Sequence, residues 1–334
     1  MSVKAYAAHA VGNQLEPFKY DPPSLGPHDV EIAVTHCGIC HSDIHMIDND
    51  WGITHYPLVP GHEIVGTIAG VGREVKSLKR GERVGVGWQS GSCMECEWCI
   101  RGDENCCSKE EGVIVGRPGG FADSVRVDGR FAFPIPDELD SATAAPLLCG
   151  GATVYTPLKD HARPAMRVGV IGIGGLGHMA LRFARAFGCE VTAFSTTEAK
   201  AEEARVFGAH HFVLSTDANQ MGKAVKSLDL LLSAVTVKMN WAQWLALLRP
   251  KGTLALLGAS PGVLDIAPMA LITGKQTIRG SAIGNRSTIR EMLEFAARHK
   301  VTAQTEVVPM AEVNAALEKV RRNEARYRMV LKNK

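Results

Sequence analysis

The chain is 334 residues long, with 46% hydrophobic and 22% charged residues, the balance of a folded soluble protein. Thirty-seven Lys and Arg face 35 Asp and Glu, a formal net charge of +2, and no block of like charge or basic stripe points to nucleic acid or anionic lipid. At about 100–200 residues per domain, this length accommodates two cores.

In chain order, the N-terminal stretch MSVKAYAAHAVGNQLEPF lacks the continuous apolar core of a secretory signal. The most apolar stretch, 228–237, falls well short of the ~20 residues that span a bilayer. No membrane partner and a cytoplasmic location are therefore expected. Nine Cys is an odd number, so not all can pair within one chain. In the cytosol, closely spaced Cys more often bind metal or do chemistry than form disulfides.

The first half predicts short strands joined by turns: apolar runs at 30–35, 64–69, 83–87 and 122–127 are punctuated by Gly, Pro, Asp and Asn. Such half-buried strands suit a partly closed, barrel-like sheet. From Arg167 onward, strands and helices alternate. Strands are predicted at 168–173, 190–195, 211–214, 228–235, 253–258 and 277–284, with helices at 177–187, 198–207 and 241–248. That rhythm implies an α/β, doubly wound parallel sheet. The tail predicts two amphipathic helices, at 289–298 and 312–321.

Cys93, Cys96, Cys99 and Cys107 follow the spacing C-x2-C-x2-C-x7-C. Four thiolates so spaced can wrap a tetrahedral zinc and leave no position for substrate, which makes the site structural. Buried or redox-active thiols are the alternative at this point. Cys106 abuts Cys107 too closely to serve the same ion.

Three distant segments carry further metal-binding side chains: Cys40 in Cys-His-Ser-Asp-Ile-His, His62 with Glu63, and Cys149 in Pro-Leu-Leu-Cys-Gly-Gly. Each alone is weak, since a lone Cys is usually a small hydrophobe. A Cys, His, Cys set can hold zinc with a fourth position open for water or a substrate oxygen. A Lewis acid there lowers the pKa of an alcohol, and the proton then needs a route out. Ser42 and His45 are the candidates for that relay, a plain surface histidine being the alternative for His45. Asp43 is placed to hydrogen-bond the His62 ring.

Gly172, Gly174, Gly175, Leu176 and Gly177 lie in a Gly-x-Gly-x-x-Gly turn directly after a strand and at the start of a helix. There the glycines let backbone amides approach a pyrophosphate at the helix N-terminus. A carboxylate at the end of the second strand would bind the ribose 2′-hydroxyl of NAD. This chain instead has Ser195, Thr196 and Thr197, with Lys200 following, groups that can bind a 2′-phosphate. NADP(H) is the expected cofactor.

Together these residues resemble the zinc-containing medium-chain alcohol dehydrogenases, and most closely their cinnamyl-alcohol-dehydrogenase-like branch. The resemblance runs through Gly38-Ile39-Cys40-His41-Ser42-Asp43, Pro60-Gly61-His62-Glu63-Ile64-Val65-Gly66, the cysteine loop, Ala145-Pro146-Leu147-Leu148-Cys149, 172–178 and Gly280-Ser281-Ala282-Ile283-Gly284. It implies a GroES-like, β-rich catalytic domain (1–148 and, returning, 285–334) split around a Rossmann NADP-binding domain (149–284). It implies two zinc ions per subunit. Cys40, His62 and Cys149 would hold the catalytic ion, with Glu63 behind it as an occasional ligand, and the four-cysteine loop would hold the structural one. Thr153, Ser233 and Val235 would lie against the nicotinamide. Trp51, Trp88 and Ile283 would line the substrate pocket, although core packing is the alternative for each Trp. A homodimer acting on a small primary alcohol or aldehyde follows by the same resemblance. Two departures bear on the substrate. The 108–119 loop is short and lacks an aromatic residue, and the two Trp stand where smaller side chains are common in relatives. An apolar or aromatic substrate is thus expected, and a lignin-type one does not follow. The rivals are a polyol or secondary-alcohol dehydrogenase, which needs a polar pocket, a quinone or enoyl reductase of the same fold, which would normally dispense with the catalytic zinc, and a non-catalytic zinc- and dinucleotide-binding protein.

Overall fold

A computed structural model describes residues 2–258 and 263–333. The chain forms two compact units, Met1–Ala152 with Ile283–Lys334, and Thr153–Ala282. The sequence reading drew these divisions at 148/149 and 284/285. They fall instead at 152/153 and 282/283, the first because the helix Gly150–His161 runs through the junction.

The first unit is built on a seven-stranded sheet. Its central strand, Asp29–Gly38, alternates core-facing Val30, Ile32 and Val34 with outward Glu31, Ala33 and Thr35, the two-residue period of a half-buried strand. It pairs antiparallel with Glu63–Val71, with Ser124–Asp128 and with Arg328–Lys332. Thr305–Pro309 lies parallel to Arg328–Lys332 at one edge. Two strands of this sheet thus come from the tail, where the sequence reading placed only helices. The helices are there, at Arg286–His299 and Val313–Arg321, but the five-residue strands between and after them are too short and charge-flanked to show an alternation. The core gathers Ile32, Val34, Ile64, Val84, Phe121 and Leu331.

Register positions the chemistry. Gly38 lies opposite Glu63 on one side and opposite Val330 on the other. The segments leading to Cys40, His62 and Arg328 therefore meet at one end of three adjacent strands. Gly38 has to be glycine, because a Cβ there would lie 2.0 Å from Glu63 Oε2.

The second unit is a six-stranded parallel sheet in the order His211–Leu214, Glu190–Ser195, Arg167–Ile171, Leu228–Ser233, Leu248–Leu256, Thr277–Gly280. This is the 3-2-1-4-5-6 order of the dinucleotide-binding fold, whose ligand crevice opens at the carboxyl ends of the first and fourth strands. Ile171 and Ser233 are register partners at that point. One element differs from expectation: the helix predicted over 241–248 stops at Leu245, because Leu248 already pairs with Leu228 in the next strand. Among the described residues, no helix is long and apolar enough to cross a membrane.

Candidate functional site

Donor atoms of Cys40, His62, Glu63 and Cys149 all lie within 4.8 Å of one another. Asp43, fully buried, organises the group. It sits in the first turn of the helix His41–Ile47, where Oδ2 accepts from the Cys40 backbone N–H at 2.9 Å. Its Oδ1 accepts from the Gly61 N–H and from His62 Nδ1, each at 2.9 Å. One carboxylate thus fixes the backbone on both sides of the site and orients the imidazole. With Nδ1 engaged, Nε2 turns to Cys149 Sγ, 3.3 Å away. The Cys149 thiol and the His62 ring hold the Cys40 thiol well below its usual pKa, while that thiolate and burial push Cys149 up. Burial works against the charged imidazole of His62, but Asp43 and the Cys40 thiolate together outweigh it and raise the His62 pKa well above the usual value.

Behind these donors, Glu63 Oε1 accepts from Arg328, whose guanidinium also donates to Ile39 O at 3.1 Å. Glu63 Oε2 is buried without a hydrogen-bond partner. Burial raises the Glu63 carboxyl to about 7 against the pull of Arg328. Two sulfurs, an imidazole nitrogen with its other nitrogen anchored, and an orphaned carboxylate oxygen suit a zinc ion.

Aromatic rings flank the donors. Trp88 meets His62 edge to face at 5.3 Å and Trp51 at 5.8 Å, and Trp51 in turn lies 5.4 Å from His45. Trp51 is 38% exposed, so it is not core packing. Ile283 belongs to the same unit: its Cδ1 would lie 3.9 Å from a Cβ added at Gly87, the neighbour of Trp88. Ser42 Oγ is 3.7 Å from Cys40 Sγ. His45 Nδ1 bonds Asp50 Oδ2 at 2.7 Å, a partner the sequence reading missed. No hydrogen bond joins Ser42 to His45 among the described residues.

The second donor cluster is Cys93, Cys96, Cys99 and Cys107, again within 4.8 Å. Backbone amides of Glu95 and Cys96 aim at Cys93 Sγ and lower its pKa to about 6. The Lys109 N–H donates to Cys107 Sγ at 3.3 Å. Amides that stabilise thiolates fit a closed zinc site. Cys106 is exposed and lies outside the cluster.

In the second unit, Gly172 has φ +85 and closes the strand, with Val235 Cγ1 only 2.5 Å from where its Cβ would be. Gly177 begins the helix Gly177–Ala186, and a Cβ there would fall 1.8 Å from Gly172 O. Gly174 faces open space, and Gly175 and Leu176 complete the turn that leads into the helix N-terminus, the kind of end that binds anions. Ser233 is buried and its hydroxyl has no hydrogen-bond partner among the described residues, and Thr153 opens this unit within the helix Gly150–His161. At the end of the second strand, Ser195 Oγ accepts from the Thr197 N–H at 3.1 Å, and Thr196 and Thr197 are exposed. Lys200 Nζ reaches back to Ile173 O at 2.5 Å, which brings its charge to the glycine turn.

An open Cys/His/Cys cluster and a dinucleotide-binding sheet on one chain define the class of metal-dependent oxidoreductases that use a nicotinamide. Residues 26–137 match the alcohol dehydrogenase GroES-like domain, and residues 175–298 match the zinc-binding dehydrogenase family. The chain is 43% identical over 330 residues to the aldehyde reductase AdhA of Synechocystis sp., covering 98% of each chain. It is 42% identical to a mannitol dehydrogenase of Petroselinum crispum, covering 95% of this chain and 97% of the relative. A cinnamyl alcohol dehydrogenase of Sorghum bicolor superposes with a TM-score of 0.96 at 40% identity, covering 99% of this chain and 98% of that one. The chain belongs to the zinc-binding alcohol dehydrogenase family.

Proposed function

We propose that the chain is an NADP(H)-dependent alcohol dehydrogenase that works mainly as an aldehyde reductase on small apolar or aromatic substrates: RCHO + NADPH + H+ ⇌ RCH2OH + NADP+. The observation that carries this reading is the Asp43-ordered donor cluster with Trp88 and Trp51 beside it. Cys40, His62 and Cys149 would hold a zinc ion, which supplies Lewis acidity at the substrate oxygen while NADPH supplies the hydride. Asp43 keeps His62 in the tautomer whose Nε2 carries the lone pair that can bind a metal. Ser42 would hold the reacting proton at its Oγ. His45, 29% exposed and fixed by the 51% exposed Asp50, would exchange that proton with solvent.

For the cofactor, the absence of a carboxylate at the end of strand Glu190–Ser195 and the cluster Ser195, Thr196, Thr197 and Lys200 favour a 2′-phosphate. Thr153, Ser233 and Val235 would take the nicotinamide end. A cinnamyl alcohol dehydrogenase of Helicobacter pylori, 30% identical with a TM-score of 0.92, is described in complex with NADP(H). The relatives include a polyol dehydrogenase, so family likeness does not select the substrate. The Trp51 and Trp88 rings do, because hydroxyl-rich substrates would lose water there without gaining partners.

A homodimer through the second unit is supported by the exposed side chains of Val263, Leu264, Met269 and Ile272, which precede Thr277–Gly280, an edge strand of the sheet among the described residues. Six of the nine cysteines fall in the two metal-donor clusters rather than in disulfides, which supports a reducing, cytoplasmic location. The test of function is NADPH and NADH consumption with a panel of aromatic aldehydes, aliphatic aldehydes, ketones and keto-sugars. Aromatic or aliphatic aldehydes with NADPH should be the best pair. A preference for keto-sugars, or no turnover with any aldehyde, would refute the proposal.

A further inference from the structure

Three consecutive polar side chains just ahead of Cys107 are all engaged with one distant segment of the same unit. Asn105 Nδ2 donates to Ile283 O at 2.8 Å, and Asn285 Nδ2 donates to Asp103 Oδ1 at 3.2 Å. Arg286 Nε donates to Glu104 Oε1 at 2.7 Å, and the Arg286 backbone N–H points at Glu104 Oε2 at 3.5 Å. Glu104 is 2% exposed, and the Arg286 guanidinium lies over the Phe131 ring at 5.4 Å. The same turn also reaches the tryptophan side: Glu104 O accepts from the side chain of Gln89, which follows Trp88, at 2.8 Å. Asn285 then caps the helix Arg286–His299 through the Thr288 N–H at 2.8 Å. Ile283 is thus fixed at its carbonyl and just downstream, beside Gly87, the chain neighbour of Trp88.

We propose that Glu104 and Asn105 are positioning residues that clasp the 283–286 segment, so that the four-cysteine lobe sets the place of Ile283 in the substrate pocket. This rests on the reading of Ile283 and Trp88 as pocket residues. With the clasp, the lobe controls how much room lies beside Trp88, and hence which aldehydes fit.

The test uses Glu104→Gln and Asn105→Ala in the full zinc-loaded chain. Amide hydrogen exchange across 283–288 should quicken by about tenfold, equal to roughly 1.4 kcal/mol of local opening. The rest of the unit and the zinc content should be unchanged. In parallel, KM for a bulky aromatic aldehyde should shift by about tenfold while kcat for the smallest aldehyde holds. Ile283→Ala should give the same shift, and the double variant with Glu104→Gln should add little to it. Unchanged exchange at 283–288, faster exchange throughout the unit with zinc loss, or additive effects in the double variant each overturn the clasp. A wild-type chain that turns over no aldehyde overturns the pocket reading instead, and the exchange result still decides whether the clasp exists.

Discussion

Replacing Asp43 by Asn changes one atom in kind and no volume, yet it should disable the site. Asp43 accepts three hydrogen bonds with two oxygens, and Asn has only one acceptor oxygen. If that oxygen faces Gly61 and His62, the new NH2 meets the Cys40 N–H donor to donor. If the amide flips, the NH2 meets the Gly61 N–H, and His62 Nδ1 must give up its proton to Nε2, the nitrogen that faces Cys149. The first arrangement costs less, because it leaves one buried donor unpaired and keeps Nε2 as a donor to metal. That donor costs about 1–3 kcal/mol. Weakening the other two bonds from charge-assisted to neutral adds about 1 kcal/mol. The sum, about 2–4 kcal/mol, corresponds to a fall of roughly 4–16 °C in the Tm of the first unit. Zinc affinity should drop by about 10–100-fold, because the imidazole loses its charged anchor. Calorimetry reads the first effect, and competition with a chromogenic chelator reads the second. Wild-type melting together with wild-type zinc retention would refute the role given to Asp43.

Arg328→Met leaves Glu63 buried without its cation and should cost about 3–5 kcal/mol in denaturant melts, with Glu63→Gln added to it restoring part of the loss. Gly177→Ala should destabilise the second unit by about 1–3 kcal/mol, because its methyl would lie 1.8 Å from Gly172 O, whereas Gly174→Ala, facing open space, should melt like wild type. Lys200→Ala should raise KM for NADPH by about tenfold, the worth of one charge-assisted contact, and leave KM for NADH within twofold or so. Equal effects on both cofactors would remove Lys200 from phosphate recognition.

Local signals made much of this legible from sequence. The glycine turn shows because Gly172 needs positive φ and Gly177 has no room for a Cβ, and both demands are written in residue type. The four-cysteine cluster shows because its ligands are close in sequence. The residues that went unread act over long separations. Arg328 meets Glu63 through the pairing of a tail strand with Asp29–Gly38, and nothing local announces that strand. One signal was available: an Arg inside the apolar run Tyr327-Arg328-Met329-Val330-Leu331 has to be buried with a partner. Asp50 follows the helix His41–Ile47 by a turn whose course sets its reach to His45, and spacing alone does not fix that. The Glu104 clasp spans 182 residues and leaves no pattern in composition or periodicity.

The decisive measurement follows the hydride itself. NADPH carrying deuterium at both C4 positions is incubated with an aromatic aldehyde, and the alcohol is analysed by mass spectrometry for the wild-type chain and for Cys40→Ala. The wild type should place deuterium on the alcohol carbon, and Cys40→Ala, with one donor of the open cluster removed, should yield no labelled alcohol. Labelled alcohol from Cys40→Ala at the wild-type rate, or unlabelled alcohol from the wild type, would contradict hydride transfer at this site.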